Sequence, residues 1–205
     1  MTNDIFFEIH QDLLREGPGR DKYTKKAFQM IPPIDDPKIL DIGCGPGIPT
    51  VLLAKLSFGE VIGLDNHKPY LDELIRRAKE ENLSENITAM NCSMFNMGFI
   101  PESFDIIWSD GSIYFIGFKN GLIQWHKLLK PKGFLAVHEM VWLKENPPHQ
   151  IEDYWKRYYP GIKTIKQCLD IIPKCDFKLF GHFPLPEDAW WEGYYQPLEK
   201  RIKML

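Results

Sequence analysis

Several things are scarce in this chain of 205 residues. No apolar stretch approaches the roughly 20 residues that a membrane-crossing helix needs, and Asp4, Glu8 and Asp12 interrupt the apolar residues of the N-terminus, unlike a secretory leader. No membrane partner is expected. The four cysteines, Cys44, Cys92, Cys168 and Cys175, lack the C-x-x-C spacing of a zinc site and are too few for a disulfide framework. Reduced thiols, no metal and a cytoplasmic location are expected. Positive charge is in short supply too: 25 Lys and Arg face 28 Asp and Glu, a formal net charge of -3. That balance gives no general attraction to polyphosphate, and the short basic groups Lys25-Lys26 and Lys200-Arg201 with Lys203 read as solvated helix faces. No nucleic-acid partner is expected. Repeats and low-complexity segments are absent, and the length suits one domain with one large core.

What is there is a succession of short apolar runs and amphipathic stretches. Ile5, Phe6, Ile9, Leu13 and Leu14 recur at helical spacing up to Gly17-Pro18-Gly19, and Asp21 to Met30 reads as a second helix. After a proline-rich linker, strands are predicted near 38–42, 60–65, 87–92, 104–108 and 133–141, with helices near 47–57, 68–82 and 119–130. Apolar strands alternating with helices imply a parallel sheet covered on both faces, with ligands over the carboxyl ends of its strands. Beyond Leu143, helices are predicted from Pro147-Pro148 to Pro160-Gly161 and over 164–172, a strand over 176–183, and a closing helix over 187–203. The fold expected is α/β: a Rossmann-like three-layer sandwich whose mostly parallel sheet has six strands, or seven if an irregular last strand is present, with a helical N-terminal lid.

The run Lys38-Ile39-Leu40-Asp41-Ile42-Gly43-Cys44-Gly45-Pro46-Gly47 carries the chemistry. Three glycines between a strand and a helix permit φ > 0 and let backbone amides approach a ligand. Asp65 ends the next strand about 20 residues on, where a carboxylate meets a ribose hydroxyl pair. The dinucleotide spacing G-x-G-x-x-G fails, because its third glycine falls at Ile48, so a different nucleoside ligand is indicated.

The segments ILDIGCGPG, VIGLDNHKPYLDELIRRA, FDIIWSDGSIYFIGF and LLKPKGFLAVHE together resemble class I S-adenosylmethionine-dependent methyltransferases, nearest to their type 11 group, over residues 38–143. The resemblance implies S-adenosyl-L-methionine as cofactor and S-adenosyl-L-homocysteine as product. It places Asp41, Gly43 and Gly45 around the methionyl part and Asp65 on the ribose. Ser93 and Met94 would meet the adenine, and Cys44, Gly47, Asn66 and Ser109 count among the cofactor's neighbours. It also implies one methyltransferase domain over 1–205: a helical lid at 1–37, a cofactor-binding core at 38–143, and substrate-side helices with the last strand at 144–205.

The activity implied is methyl transfer to a small-molecule acceptor by in-line displacement, by a monomer or a homodimer. If the acceptor is an amine or hydroxyl, a base must take its proton. Asp110, Tyr114, His138 and Glu139 lie at strand ends where such a base belongs. Each has a plainer reading as a structural residue, and His138 and Glu139 face opposite ways along a strand. Tyr114, Trp142 and Trp190 are pocket candidates, and Gly17-Pro18-Gly19 with Tyr23 forms the expected lid. Methyl transfer to protein or RNA, and a non-catalytic S-adenosylmethionine-binding module, stay open as alternatives.

Overall fold

A computed structural model describes residues 3–205, with side chains from residue 5 onward. Helix α1 spans Asn3–His10 and α2 spans Asp21–Phe28. The first helix stops well short of Gly17-Pro18-Gly19, because Asp12 adopts a left-handed φ of 66° that a right-handed helix cannot propagate. Leu13 and Leu14 therefore belong to the connecting segment.

The core follows as strand β1 Lys38–Ile42, α3 Ile48–Ser57, β2 Glu60–Asp65, α4 Lys68–Glu80, β3 Ile87–Asn91, β4 Phe104–Asp110, α5 Phe118–His126 and β5 Leu129–His138. Alternation along β1 sends Leu40 and Ile42 into one core cluster and Ile39 into the other, all three fully buried. Both faces of the sheet are thus covered, as crossover helices in parallel sheets require. The strand order is β3-β2-β1-β4-β5, with every pairing parallel. The order reverses between β1 and β4, which opens a crevice at their carboxyl ends.

The main sheet has five strands among the described residues, not six or seven. The stretch 176–183 forms no strand; it starts from Asp176 at a left-handed φ of 62°, and side chains lie between it and β5. Phe180 packs edge-on against Phe134 at 5.1 Å, and Met30 fills the space beside Gly181, where a Cβ would collide with it. The outer edge of β5 stays unpaired.

Two short strands were not expected: β6 Val141–Trp142 pairs in parallel with β7 Lys163–Thr164. Two residues are too few for periodicity to reveal. Helix α6 covers His149–Tyr158, and α7 covers Ile165–Ile171, opened by a capping box between Thr164 and Gln167. The closing helix runs unbroken as α8 Glu187–Trp190, a wide-turned stretch Trp191–Tyr195, and α9 Gln196–Ile202.

The N-terminal segment is tied to this closing helix. His10 Nε2 and the Tyr194 hydroxyl lie 2.9 Å apart, and the Gly19 amide donates to the Ala189 carbonyl at 3.1 Å. Arg20 bonds Asp188 at 2.7 Å and Glu192 at 2.6 Å, while Tyr23 donates to Asp188. At its other end α1 stacks Phe7 on His67, ring centroids 3.7 Å apart, just beyond β2.

Candidate active site

The glycine turn closes the carboxyl end of β1. Gly43, Gly45 and Gly47 all take positive φ, at 71°, 52° and 86°, where a side chain is strained. Their surroundings differ. A Cβ on Gly43 would collide with Ser112 and one on Gly47 with Leu74, whereas at Gly45 only the Glu16 carboxyl approaches, at 3.9 Å. Gly45 is the member of the three that faces the crevice. The Gly43 and Cys44 amides both donate to the Leu64 carbonyl, at 2.8 and 3.0 Å. The Cys44 thiol turns into the core, and burial pushes it well above its ordinary value.

Asp65 reaches back over the turn. Its two oxygens accept from the Gly45 amide at 3.0 Å and the His67 amide at 2.9 Å, which aims the carboxylate into the crevice. Asn66 follows it and is exposed. Asp41 is fully buried and accepts from Thr50 at 2.7 Å through Oδ2, while Oδ1 has no partner. Burial raises it to about 7, and Asp110 and Asp65 push the same way against the Thr50 bond. Met94 lies beside Gly43, and the Ser93 hydroxyl accepts from the Phe95 amide at 3.3 Å.

Across the crevice, Asp110 pairs in register with His138. His138 Nδ1 donates to Asp110 Oδ1 at 2.9 Å, and Arg15 Nη1 donates to Asp110 Oδ2 at 2.9 Å. Burial alone would raise Asp110, but His138 and Arg15 outweigh it and hold the carboxyl below its ordinary value. The bond through Nδ1 leaves His138 Nε2 as the free ring nitrogen of the neutral form. Ser109 is fully buried, its hydroxyl 2.7 Å from that of Ser112, which donates to the Ile42 carbonyl. Ser109 thus braces the turn and does not open onto the crevice.

Glu139 lies just past β5, with both carboxylate oxygens buried and no well-formed hydrogen bond to either. Burial raises it to about 7, although Tyr159 is close enough to offset part of that cost. Tyr114 sits in a short 3-10 turn after β4, its ring 5.7 Å from that of Tyr159, and burial raises its hydroxyl to about 12. Trp142 lies in β6, apart from Trp190 in α8.

Arg15, bonded to Asp110, and Glu16, beside Gly45, border the candidate site, and sequence reasoning passed over both. Glu16 hangs above Gly45 with Oε1 buried and unpartnered, and burial together with the Asp65 charge raises it to about 8. The only sequence signal was their place directly before Gly17-Pro18-Gly19. Thr50 and Ser112, which support the first motif from outside it, were missed in the same way.

Comparison with known proteins places the chain in a family. A sterol 24-C-methyltransferase of Aspergillus fumigatus is 28% identical over 176 residues, 81% of this chain and 46% of that protein. The chain spans less than half the length of the curated relatives it matches. In fold it resembles an S-adenosylmethionine-dependent methyltransferase from Thiobacillus denitrificans in complex with S-adenosyl-L-homocysteine. That match has TM-score 0.84 at 15% identity and covers 98% of this chain and 81% of the other. Geranyl diphosphate C-methyltransferase from Streptomyces coelicolor is also similar, with TM-score 0.63 at 16% identity, covering 75% and 59% of the two chains. A family model described as a methyltransferase domain matches residues 35–201, and the chain belongs to that family.

Proposed function

We propose that this chain transfers the methyl group of S-adenosyl-L-methionine to a small-molecule nucleophile, with release of S-adenosyl-L-homocysteine. The observation that carries this reading is the crevice between β1 and β4. There the open Gly45 of the left-handed glycine turn donates its amide to the Asp65 carboxylate, and the buried Asp41 at the end of β1 has an oxygen, Oδ1, without a partner. The cofactor brings its own leaving group, a methyl on a sulfonium, so the protein's part is binding, alignment and exclusion of water.

Asp65 is suited to accept both ribose hydroxyls. Asp41 Oδ1 is a buried acceptor lacking a donor, which a cofactor ammonium would satisfy. Met94, against Gly43, offers an apolar surface for the adenine, with Ser93 behind it and Asn66 at the rim. Gly43, Cys44, Gly45 and Gly47 contribute backbone, and Ser109 contributes through Ser112. On the acceptor side His138 Nε2 takes the proton while Asp110 holds the ring through Nδ1. Tyr114 and Glu139 flank that approach. The segment before β1 acts as a lid latched by Arg15, residues 38–143 hold the cofactor, and residues 144–205 face the acceptor, within one domain.

The named relatives act on a sterol and on geranyl diphosphate, small molecules both, which favours a small acceptor here over a protein or RNA. The four cysteines are free, and no helix among the described residues is long and apolar enough to cross a membrane. The enzyme is proposed to work in the cytoplasm as a monomer or homodimer.

Calorimetric titration with S-adenosylmethionine is expected to give one saturable site. Asp65→Ala is expected to weaken it about 5- to 150-fold, the ~1–3 kcal/mol of unpaired ribose hydroxyls. Unchanged affinity in that variant overturns the ribose role, and no binding to the native chain overturns the whole reading.

A further inference from the structure

Glu16 is an acid set over the glycine turn with no counter-charge of its own. Its carboxyl carbon and Oε2 both lie 3.9 Å from where a Cβ on Gly45 would stand, and Gly45 is the glycine that opens onto the crevice. Oε1 is buried without a hydrogen-bond partner. Arg15 adjoins Glu16 in the chain but donates elsewhere, to Asp110 at 2.9 Å, Asp21 at 3.2 Å and Thr24 at 3.4 Å. The titratable groups within electrostatic reach of Glu16 are themselves acids: Asp65 at the end of β2, the Cys44 thiol of the turn, Tyr114 beyond β4 and Tyr194 of the closing helix. No cation is among them.

The backbone holds Glu16 in this place from both sides. Arg15 is pinned to Asp110 before it, and the Gly19 amide is bonded to the Ala189 carbonyl at 3.1 Å after it. A carboxylate buried without a partner is costly. Burial, with the Asp65 charge adding to it, raises Glu16 to about 8, so near neutral pH it keeps its proton until a cation arrives and favours the ionised form. S-adenosylmethionine brings two cations. Its ammonium has N–H donors, for which Asp41 Oδ1 is a waiting acceptor. Its sulfonium has no N–H or O–H, and only an opposite charge answers it. The sulfonium joins the ribose to the methionyl part and turns its methyl toward the acceptor. Glu16 is in reach of Asp65, the acid suited to the ribose, and of Tyr114, on the acceptor side.

We propose that Glu16 is the counter-charge for the cofactor's sulfonium, and that through it the N-terminal lid distinguishes the charged cofactor from its neutral product. The proposal rests on the methyl-transfer reading above. When the methyl passes to the acceptor, the electron pair of the S–CH3 bond stays on sulfur and the positive charge there is gone. Glu16 is then again a carboxylate buried beside Asp65 without a cation, and it takes a proton back from solvent. The lid thus loses an attraction to the ligand at the moment the product forms, which favours release of S-adenosylhomocysteine.

The test compares the native chain with Glu16→Gln, which keeps the shape and removes the charge, by calorimetric titration at neutral pH with three ligands. S-adenosylmethionine is expected to bind the variant at least about tenfold more weakly, and S-adenosylhomocysteine to change less than about twofold. The unchanged product affinity also reports that the variant is folded with its pocket intact. Sinefungin, in which an ammonium-bearing carbon replaces the sulfonium, keeps the charge and is expected to follow S-adenosylmethionine. Equal loss for cofactor and product would assign Glu16 to the ammonium they share, and sinefungin following the product would show that the methyl and not the charge is sensed. Unchanged affinities, or tighter binding of both because Glu16 had stood in the way, would deny it any attractive role. Each of these outcomes overturns the proposal and leaves methyl transfer standing, because the native chain still binds its cofactor. No binding of S-adenosylmethionine to the native chain overturns the methyl-transfer reading instead.

Discussion

Five carboxylates meet in or beside the crevice, and donors decide the fate of each. Asp110 has Arg15 and His138 and is held below its ordinary value. Asp41, Glu139 and Glu16 have too few donors for their burial and rise to about 7, about 7 and about 8. A carboxyl whose folded value is raised favours the folded state in its protonated form. Stability is lost as pH climbs from the ordinary carboxylate value through the folded one. Without ligand, the melting temperature is therefore expected to fall between about pH 5 and about pH 8. Glu16→Gln should flatten the upper part of that fall, where Glu16 is the group still titrating. Scanning calorimetry across that range checks it, and an unaltered profile in the variant assigns the titration elsewhere. Asp65, Asp110 and His138 were legible because each follows directly on an apolar strand. Arg15 was not, since its contact with Asp110 joins positions 95 apart in the chain.

At the scale of elements, the three glycines of one turn serve different ends. Gly43 and Gly47 are hemmed in by Ser112 and Leu74, with the Leu74 Cβ 2.9 Å from where a Gly47 Cβ would stand. Gly45 is open. Left-handed strain of about 1 kcal/mol applies to alanine at any of them. Overpacking adds roughly 1–3 kcal/mol where the space is filled. Gly47→Ala is thus expected to lower unfolding free energy by at least ~2 kcal/mol and Gly45→Ala by only ~1 kcal/mol, as read by urea denaturation. Equal losses would show that the turn's backbone, not its neighbours, sets the requirement. The 176–183 stretch teaches the complementary lesson. Phe177, Leu179 and Phe183 fall on alternate positions as in a strand, yet the chain forms no strand there. Whether it pairs is decided by Met30 and Phe134, from elements far away in sequence.

Over the whole molecule, charged groups fasten the N-terminal segment at two of its several contacts with the rest of the chain. Arg15 holds it to the end of β4, and Asp188 of α8 gathers Arg20, Lys22 and Tyr23. Asp188→Asn keeps the shape but removes the charge that draws two cations together. Faster amide exchange and proteolysis over residues 11–31 are expected, with the core unaffected. Mass spectrometry of exchanged peptides would detect this. Unchanged protection would place the fastening at Arg15 and the segment's other contacts, the His10–Tyr194 and Gly19–Ala189 bonds among them.

The alternation of apolar strands and helices, the glycine turn and Asp65 were determined by the sequence itself, because each depends on neighbours within a few residues or on one strand-helix-strand unit. From these followed the parallel sheet and the side of it that binds ligand. Only the tertiary structure decided that the sheet stops at five strands, that Glu16 hangs over Gly45, and that Arg15 and His138 share Asp110. It also decided that a cavity of about 1290 Å³ lies along β5. These features arise where side chains distant in sequence compete for one space or one hydrogen bond, and no local pattern records the outcome of that competition.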